Sequence, residues 1–299
     1  MNAIETKDLE KVYGTNSVVN KVNLNVEKGI IFGFLGKNGA GKSTFINMLT
    51  GLTQPTSGTY QLASRKEKVG VLPDYSTLYD DMTALDHLKY FNKLLKAEMQ
   101  NDQLVQLLKD VGLNDAIHLK AKKYSFGMKK KLAFAQAMLN NPEIVFLDEP
   151  TSGVDANSIL TIHDLMKKLA RQGTTVFFTS HNLDEVEKLS DKIAIMDQGR
   201  IKVQGDMEYL KSSIEQDIKV DVKFMNDSTL DTAGIEQKLS EFVTECHWKP
   251  HRLQATLKSK QDVSTINKIL VLNDVEVYAI DLHEPSLEEI FIKTGQTSQ

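Results

Sequence analysis

Over residues 3–35 apolar and polar positions alternate in short pieces: Ile4, Leu9 and Val12, then Val22, Leu24 and Val26, with turn signals at Gly14 and at Lys28-Gly29. Period-two alternation puts successive side chains on opposite faces of a strand, so this region predicts short, mainly antiparallel strands. Ile30, Ile31, Phe32, Phe34 and Leu35 then form a strand-like apolar run, and Phe45, Ile46, Met48 and Leu49 fall at helical spacing just beyond it. Residues 52–58 are a turn cluster, and residues 69–72 read as a short buried strand stopped by Pro73. From Thr83 the period is helical: Leu85, Leu88, Phe91, Leu94 and Leu95, then Leu104, Leu107, Leu108 and Val111, closed by Gly112 as a cap. Leu132, Phe134, Ala135, Met138 and Leu139 predict another helix, with Ser125 as its N-cap. Residues 144–147 and 174–180 are continuous runs of the kind buried on both faces of a parallel sheet. Residues 193–196 and 201–203 supply two last strands around a turn at 198–200.

A second pattern follows. Ile218, Val220, Val222 and Phe224 alternate with polar residues; Ile235, Leu239 and Phe242 have helical spacing; Leu253, Ala255 and Leu257 alternate again. Val263, Ile266, Ile269 and Leu270 suit a helix, and Val275, Val277 and Ala279 a strand. Pro285-Ser286 starts a last helix with Ser286 near its N-cap. This order predicts a small α+β sandwich, with a ferredoxin-like arrangement as one form. The domains expected are residues 1–212, with a helical subdomain at about 83–140, and residues 213–299.

Composition narrows the class. The 299 residues are 41% hydrophobic and 25% charged, enough for a sizeable core and ordinary solubility. The formal net charge of −4 gives no general pull toward nucleic acid, and no nucleic-acid partner is expected. The single cysteine, Cys246, excludes an internal disulfide and a cysteine-based zinc site, as in a reducing compartment. Cys246, His247 and His251 lie close together, but surface or packing roles are expected for them. No apolar run approaches the roughly 18–20 residues that span a bilayer, and the first residues lack the basic and apolar regions of a signal peptide. A chain that neither spans a membrane nor is secreted is expected, free to dock on a membrane protein.

The chemistry is concentrated at Gly36-Lys37-Asn38-Gly39-Ala40-Gly41-Lys42-Ser43-Thr44, which fits G-x-x-x-x-G-K-[ST] between a strand and a helix. Glycines let the backbone curl so that consecutive N–H groups point at phosphates, and the helix N-terminus adds partial positive charge. Lys42 is placed for the β- and γ-phosphates and Ser43 for Mg²⁺. Asp148 and Glu149 end a buried strand at the sheet edge where such folds bind ligands. Asp148 suits the metal shell, and Glu149 suits a general base that polarises the attacking water. His181 ends another buried strand at the same edge, as a structural residue or a hydrogen-bond partner of a γ-phosphate. Tyr13 could stack on a purine or pack on its strand. Lys122, Lys123, Lys129, Lys130 and Lys131 read as a solvated helix face, with a contribution to the potential around a triphosphate as the alternative.

Taken in order, these motifs resemble the ATP-binding subunit of an ABC transporter over roughly residues 3–210. Residues 36–44 are similar to Walker A, 145–149 to Walker B, 124–128 to the signature segment and 152–155 to the D-loop, with His181 as the switch histidine. Tyr13 takes the place of the adenine-stacking aromatic, and Asp74 the Q-loop position. The resemblance implies a P-loop NTPase (RecA-like) α/β core with an antiparallel β subdomain and a helical insertion, using ATP and Mg²⁺. It adds Ser125, Gly127 and Asp155 to the nucleotide contacts across a dimer, and Asp74 to the metal shell. Two positions depart from the pattern. The signature reads Tyr-Ser-Phe-Gly-Met, with Phe126 in place of the first central glycine, and Asp74 replaces glutamine, keeping a side-chain oxygen but shorter and charged.

The Tyr-Ser-x-Gly-Met form and the C-terminal region resemble bacterial exporters of the daunorubicin, bacitracin and sodium types. That implies an ATP-hydrolysing motor working as a homodimer or heterodimer, bound to a separate multi-span permease at the cytoplasmic face of the bacterial membrane. The surface around Asp74 and residues 75–95 would pass motion to the permease. Two alternatives are a soluble switch of the same family acting on ribosomes or DNA repair, and a weakly catalytic nucleotide-binding regulator. One cassette without sustained heptads speaks against the first, and Glu149 with His181 against the second.

Overall fold

The computed structural model describes residues 1–74, 78–213, 218–225, 230–283 and 286–296. Residues 75–77 of the expected permease-facing surface, Pro285 before the last helix, the expected domain junction from residue 214 and the final three residues lie outside them. The chain divides into two compact units, residues 1–210 with the end of the chain from residue 294, and residues 211–293.

In the first unit β1 (Asn2–Tyr13) and β2 (Asn16–Glu27) pair antiparallel, longer than the short pieces expected. They are followed by β3 (Ile31–Leu35), α1 (Lys42–Leu49), β4 (Ser57–Leu62) and β5 (Val69–Leu72). Helices α2 (Ala84–Leu94), α3 (Asn101–Asp110) and α4 (Phe126–Ala137) form the helical insertion. Then come β6 (Ile144–Asp148), α5 (Ala156–Arg171), β7 (Thr175–Ser180), α6 (Leu183–Leu189), β8 (Lys192–Asp197), β9 (Arg200–Gly205) and α7 (Met207–Ser212). One sheet has the order β2-β1-β4; the other is β5-β6-β7-β3-β8-β9, parallel except for β9 against β8. Strand β4 corrects the reading of Ser57 and Gly58 as turn. Its outward positions are polar, so only Tyr60 and Leu62 reach the core, and Gly58 at φ 80° lets it close on β1 against the Asp8 carbonyl.

The core under the phosphate-loop motif is aromatic. Phe45 of α1 stacks on Phe34 of β3 at 5.0 Å between centroids; Phe34 meets Phe177 of β7 at 5.2 Å, and Phe146 of β6 meets Phe177 at 5.4 Å. Phe34, Phe45, Phe146 and Phe177 are fully buried. At about 2–3 kcal/mol per buried phenylalanine, this cluster pins α1 to the strands that carry the site. Thr83 and Ser125 cap α2 and α4 with their hydroxyls, and Gly112 follows the end of α3 at φ 70°.

The second unit contains β10 (Ile218–Phe224), α8 (Thr232–Leu239), β11 (Val243–Lys249), β12 (Arg252–Leu257), α9 (Asp262–Leu272) and β13 (Val277–His283), before α10 (Leu287–Gln296). Its sheet order is β11-β12-β10-β13 with every neighbouring pair antiparallel, the split βαβ pattern. Val220, Val222, Phe224, Leu253, Ala255 and Leu257 face Ile235, Leu239, Ile266 and Leu270 of the two helices. Strand β11 has no clean alternation in the sequence because a register shift between Val243 and Glu245 breaks its period. Phe242 is not helical: α8 ends at Leu239, and Phe242 lies in the turn into β11. Ser286 and Glu289 cap α10 reciprocally. Among the described residues no helix is long and apolar enough to cross a membrane.

Candidate functional site

The site is built at the C-terminal ends of β3, β6 and β7. After β3 the chain turns through Gly36, where a side chain would come within 2.5 Å of the Met196 carbonyl, and through Gly39 at φ 82°. Gly41 has φ 106°, and a Cβ there would meet the Val18 carbonyl at 2.5 Å. Both the dihedral and the close approach require glycine. Gly41 is the N-cap of α1 and contributes no side-chain cap. Residues 37–44 therefore line a cleft of about 220 Å³ together with Val18, Asp74 and Glu149.

Lys42 is 6% exposed. Its Nζ donates to the carbonyls of Gly36 at 2.7 Å and Lys37 at 3.3 Å, and lies 3.7 Å from Glu149 Oε1. Burial pushes its pKa down, against the pull of the charges on Glu149, Asp148 and Asp74. Asp148 is buried at the end of β6, where Thr179 Oγ1 donates to its Oδ1 at 2.5 Å. The next residue, Glu149, has φ 49°, a left-handed conformation that a non-glycine residue holds only under restraint. Its N–H donates to Thr179 Oγ1 at 3.0 Å. Its Oε2 is 2.8 Å from His181 Nδ1, while its Oε1 is buried without a hydrogen-bond partner. His181 follows β7, with its side chain 55% exposed.

Lys130 requires a correction. It is not on a solvated helix face: it is 4% exposed, and its Nζ donates to the carbonyls of Asp74 at 2.7 Å and Glu149 at 3.1 Å, with Asp74 Oδ1 at 3.6 Å. Lys122 and Lys123 are exposed, and Lys129 and Lys131 partly so. Asp74 thus lines the cleft while paired with a lysine.

Ser125, Gly127 and Asp155 are not among the residues lining the cleft of their own chain. They form a second cluster: Ser125 Oγ accepts from the Met128 N–H, and Asp155 caps α5 by accepting from the Ser158 N–H. Those Ser158 hydrogen bonds hold the Asp155 carboxyl below its ordinary pKa. Gly127 packs beneath Asp155, and the half-exposed Phe126 ring lies over Gly153. Tyr13 is half-exposed at the end of β1, with Lys11 Nζ 5.0 Å from its ring centre, and is also outside the cleft lining.

The sequence did not reveal Glu185 of α6. This buried carboxylate accepts from Thr151 Oγ1 and Ser180 Oγ at 2.7 Å each and lies 2.8 Å from His163 Nε2. It ties the segment after Glu149 to the residue before His181. A signal was present: Glu185 shares a helix face with the buried Val186 and Leu189.

The residues fit a nucleoside triphosphate and its cation. A Cβ at Gly36 or Gly41 would strike the Met196 or Val18 carbonyl and spoil the curl, the buried Glu149 Oε1 has no hydrogen-bond partner, and Ser43, Asp74 and Asp148 offer the hard oxygen donors that Mg²⁺ takes.

The chain is similar to known proteins over nearly its whole length. Residues 19–152 match the family model "ABC transporter", and residues 205–294 the model "ATP-binding protein DrrA1-3-like, C-terminal domain". The chain is 33% identical to the bacitracin transport ATP-binding protein BcrA of Bacillus licheniformis, over 97% of this chain and 96% of that protein. It is 32% identical to the daunorubicin/doxorubicin resistance ATP-binding protein DrrA of Streptomyces peucetius, over 97% and 91%. Among solved structures it is similar to an ATP-binding subunit of an ABC transporter, with a TM-score of 0.65 and 26% identity over 71% of this chain and 92% of that one.

Proposed function

The chain belongs to the ATP-binding subunits of ABC transporters, and from that premise we infer that it is the motor of an exporter for a drug, antimicrobial or amphipathic peptide. It is an ATPase with a P-loop NTPase fold and an additional C-terminal α+β unit. The cargo class rests on relatives named for bacitracin and for daunorubicin/doxorubicin, each matched over nearly the whole chain. ABC ATP-binding subunits dimerise and work with a membrane permease. For this chain the proposal is a homodimer or a heterodimer with a like subunit, held at the cytoplasmic face of the bacterial membrane by a separate multi-span permease.

The observation that carries the mechanism is Glu149, which lines the glycine-curled cleft 3.7 Å from the Lys42 ammonium and is met at its other oxygen by His181, itself outside the cleft lining. The amides of residues 37–44 and the Lys42 ammonium bind the triphosphate, and Ser125, Gly127 and Asp155 of a second copy cover it, with Tyr13 against the base. Ser43, Asp148 and Asp74 would hold Mg²⁺, which supplies charge neutralisation on the phosphate oxygens. Glu149 accepts a proton from the attacking water as that water bonds to the γ-phosphorus and the bond to ADP breaks. His181 holds the Glu149 carboxylate in line and offers its other ring nitrogen to the γ-phosphate. Closure excludes water from the site, so positioning and fixed charge do most of the chemistry.

Glu149→Gln tests this. The variant is expected to bind ATP, remain as a closed dimer on gel filtration, and lose at least about 100-fold in turnover. Wild-type turnover by the variant would remove Glu149 from the role of base. Isolation of the chain with membranes only when its permease is co-expressed is expected; recovery on ribosomes instead would favour the soluble-switch reading.

A further inference from the structure

We propose that Lys130 is a positioning residue for hydrolysis, a strut that fixes the backbone of Glu149 and links it to the Asp74 loop and to the helix that starts at the signature segment. The inference rests on the reading of Glu149 as the base.

Three observations carry it. First, Lys130 is almost wholly buried and spends its ammonium on two main-chain carbonyls, those of Asp74 and Glu149, which follow the neighbouring parallel strands β5 and β6. Burying a cation is costly without such partners, and an aliphatic side chain could fill the same volume. Second, Glu149 is clamped on both sides of its strained residue. Thr179 Oγ1 takes its N–H, and Lys130 takes its carbonyl. With its main chain held at φ 49°, the carboxylate points at His181 and Lys42. Third, Lys130 stands three residues after Gly127 on α4, on the same face of the helix. Any shift of the signature end of α4 is therefore transmitted to the Glu149 carbonyl by a charged hydrogen bond. Asp74 belongs to the same unit: its carboxylate lies 3.6 Å from the Lys130 ammonium. A glutamine at that position would leave the ammonium without a counter-charge on this side.

The test uses the full chain. Lys130→Met keeps the volume and removes the charge. It is expected to lower kcat about 10- to 100-fold, the scale of a misplaced catalytic group, while the Kd for a fluorescent ATP analogue changes less than about threefold. Lys130→Arg retains the charge and the donors and is expected to recover most of the turnover. The proposal is overturned if Lys130→Met turns over within about twofold of wild type, if its Kd worsens as much as its kcat, or if Lys130→Arg is as slow as Lys130→Met. Glu149→Gln is assayed alongside. Loss of turnover there with full turnover in Lys130→Met overturns the strut alone, whereas full turnover in Glu149→Gln overturns the reading of the base beneath it.

Discussion

His181 Nδ1 lies 2.8 Å from Glu149 Oε2, and the two residues come from the ends of adjacent parallel strands, β7 and β6. The contact uses one carboxylate oxygen and leaves Oε1 facing Lys42 at 3.7 Å. Removing the imidazole therefore frees the carboxylate to rotate without disturbing the cradle. His181→Ala is expected to reduce kcat about 10- to 100-fold with little change in nucleotide affinity. Steady-state turnover beside equilibrium titration checks this, and equal losses in both would assign His181 to binding instead.

Gly41 is the least replaceable position of the loop. Its φ of 106° opposes a side chain, and so does the Val18 carbonyl, which lies 2.5 Å from where a Cβ would stand. Strain of this kind costs about 1–3 kcal/mol, and the loop relieves it by leaving its curled form. Gly41→Ala is expected to lose about 10- to 100-fold in ATP affinity by calorimetry while keeping the far-ultraviolet circular dichroism of the parent. Wild-type affinity would mean that the triphosphate binds elsewhere.

The Glu185 knot carries a pH dependence. Burial alone would raise the Glu185 pKa, but hydrogen bonds from His163, Ser180 and Thr151 outweigh it and leave the carboxyl below its ordinary value. A depressed carboxylate contributes stability that is present above the unfolded value of 4.5 and is lost as pH falls through the folded one. Glu185→Gln is expected to cost about 1–3 kcal/mol at neutral pH, with a Tm gap from wild type that narrows below pH 4.5. Thermal melts between neutral and acid pH measure the gap, and a constant gap would show that the carboxylate charge is irrelevant.

At Gly127 a Cβ would sit 2.7 Å from Asp155 Oδ2 and 2.9 Å from Ser158 Oγ. Gly127→Ala is expected to push Asp155 off its cap, costing about 1 kcal/mol of stability. In the Glu149→Gln background it should also abolish the ATP-dependent dimer on gel filtration, because Asp155 and the signature segment move together. A dimer of unchanged strength would place the partner's contact elsewhere.

The parallel core and the loop motif were legible because their strands are buried on both faces. Phe32, Phe34, Val145, Phe146, Phe177 and Phe178 leave no polar alternation to misread. Asp148, Glu149 and His181 stand where those runs stop, so strand ends located the chemistry. Strands β4 and β11 were hidden for opposite reasons, one because its outward residues look like a turn, the other because a register shift breaks its period. Lys130 and Glu185 were hidden because a charge buried by tertiary partners has the same letter as a charge in water. Only the approach of Asp74 and Glu149 to one, and of Thr151, His163 and Ser180 to the other, shows what they hold.

Lys42 has a resting place within its own loop, on the carbonyls of Gly36 and Lys37. The ammonium thereby ties the end of the loop back to its beginning, so the shape of the curl and its positive charge depend on one side chain. A substitution that removes the charge removes the brace with it.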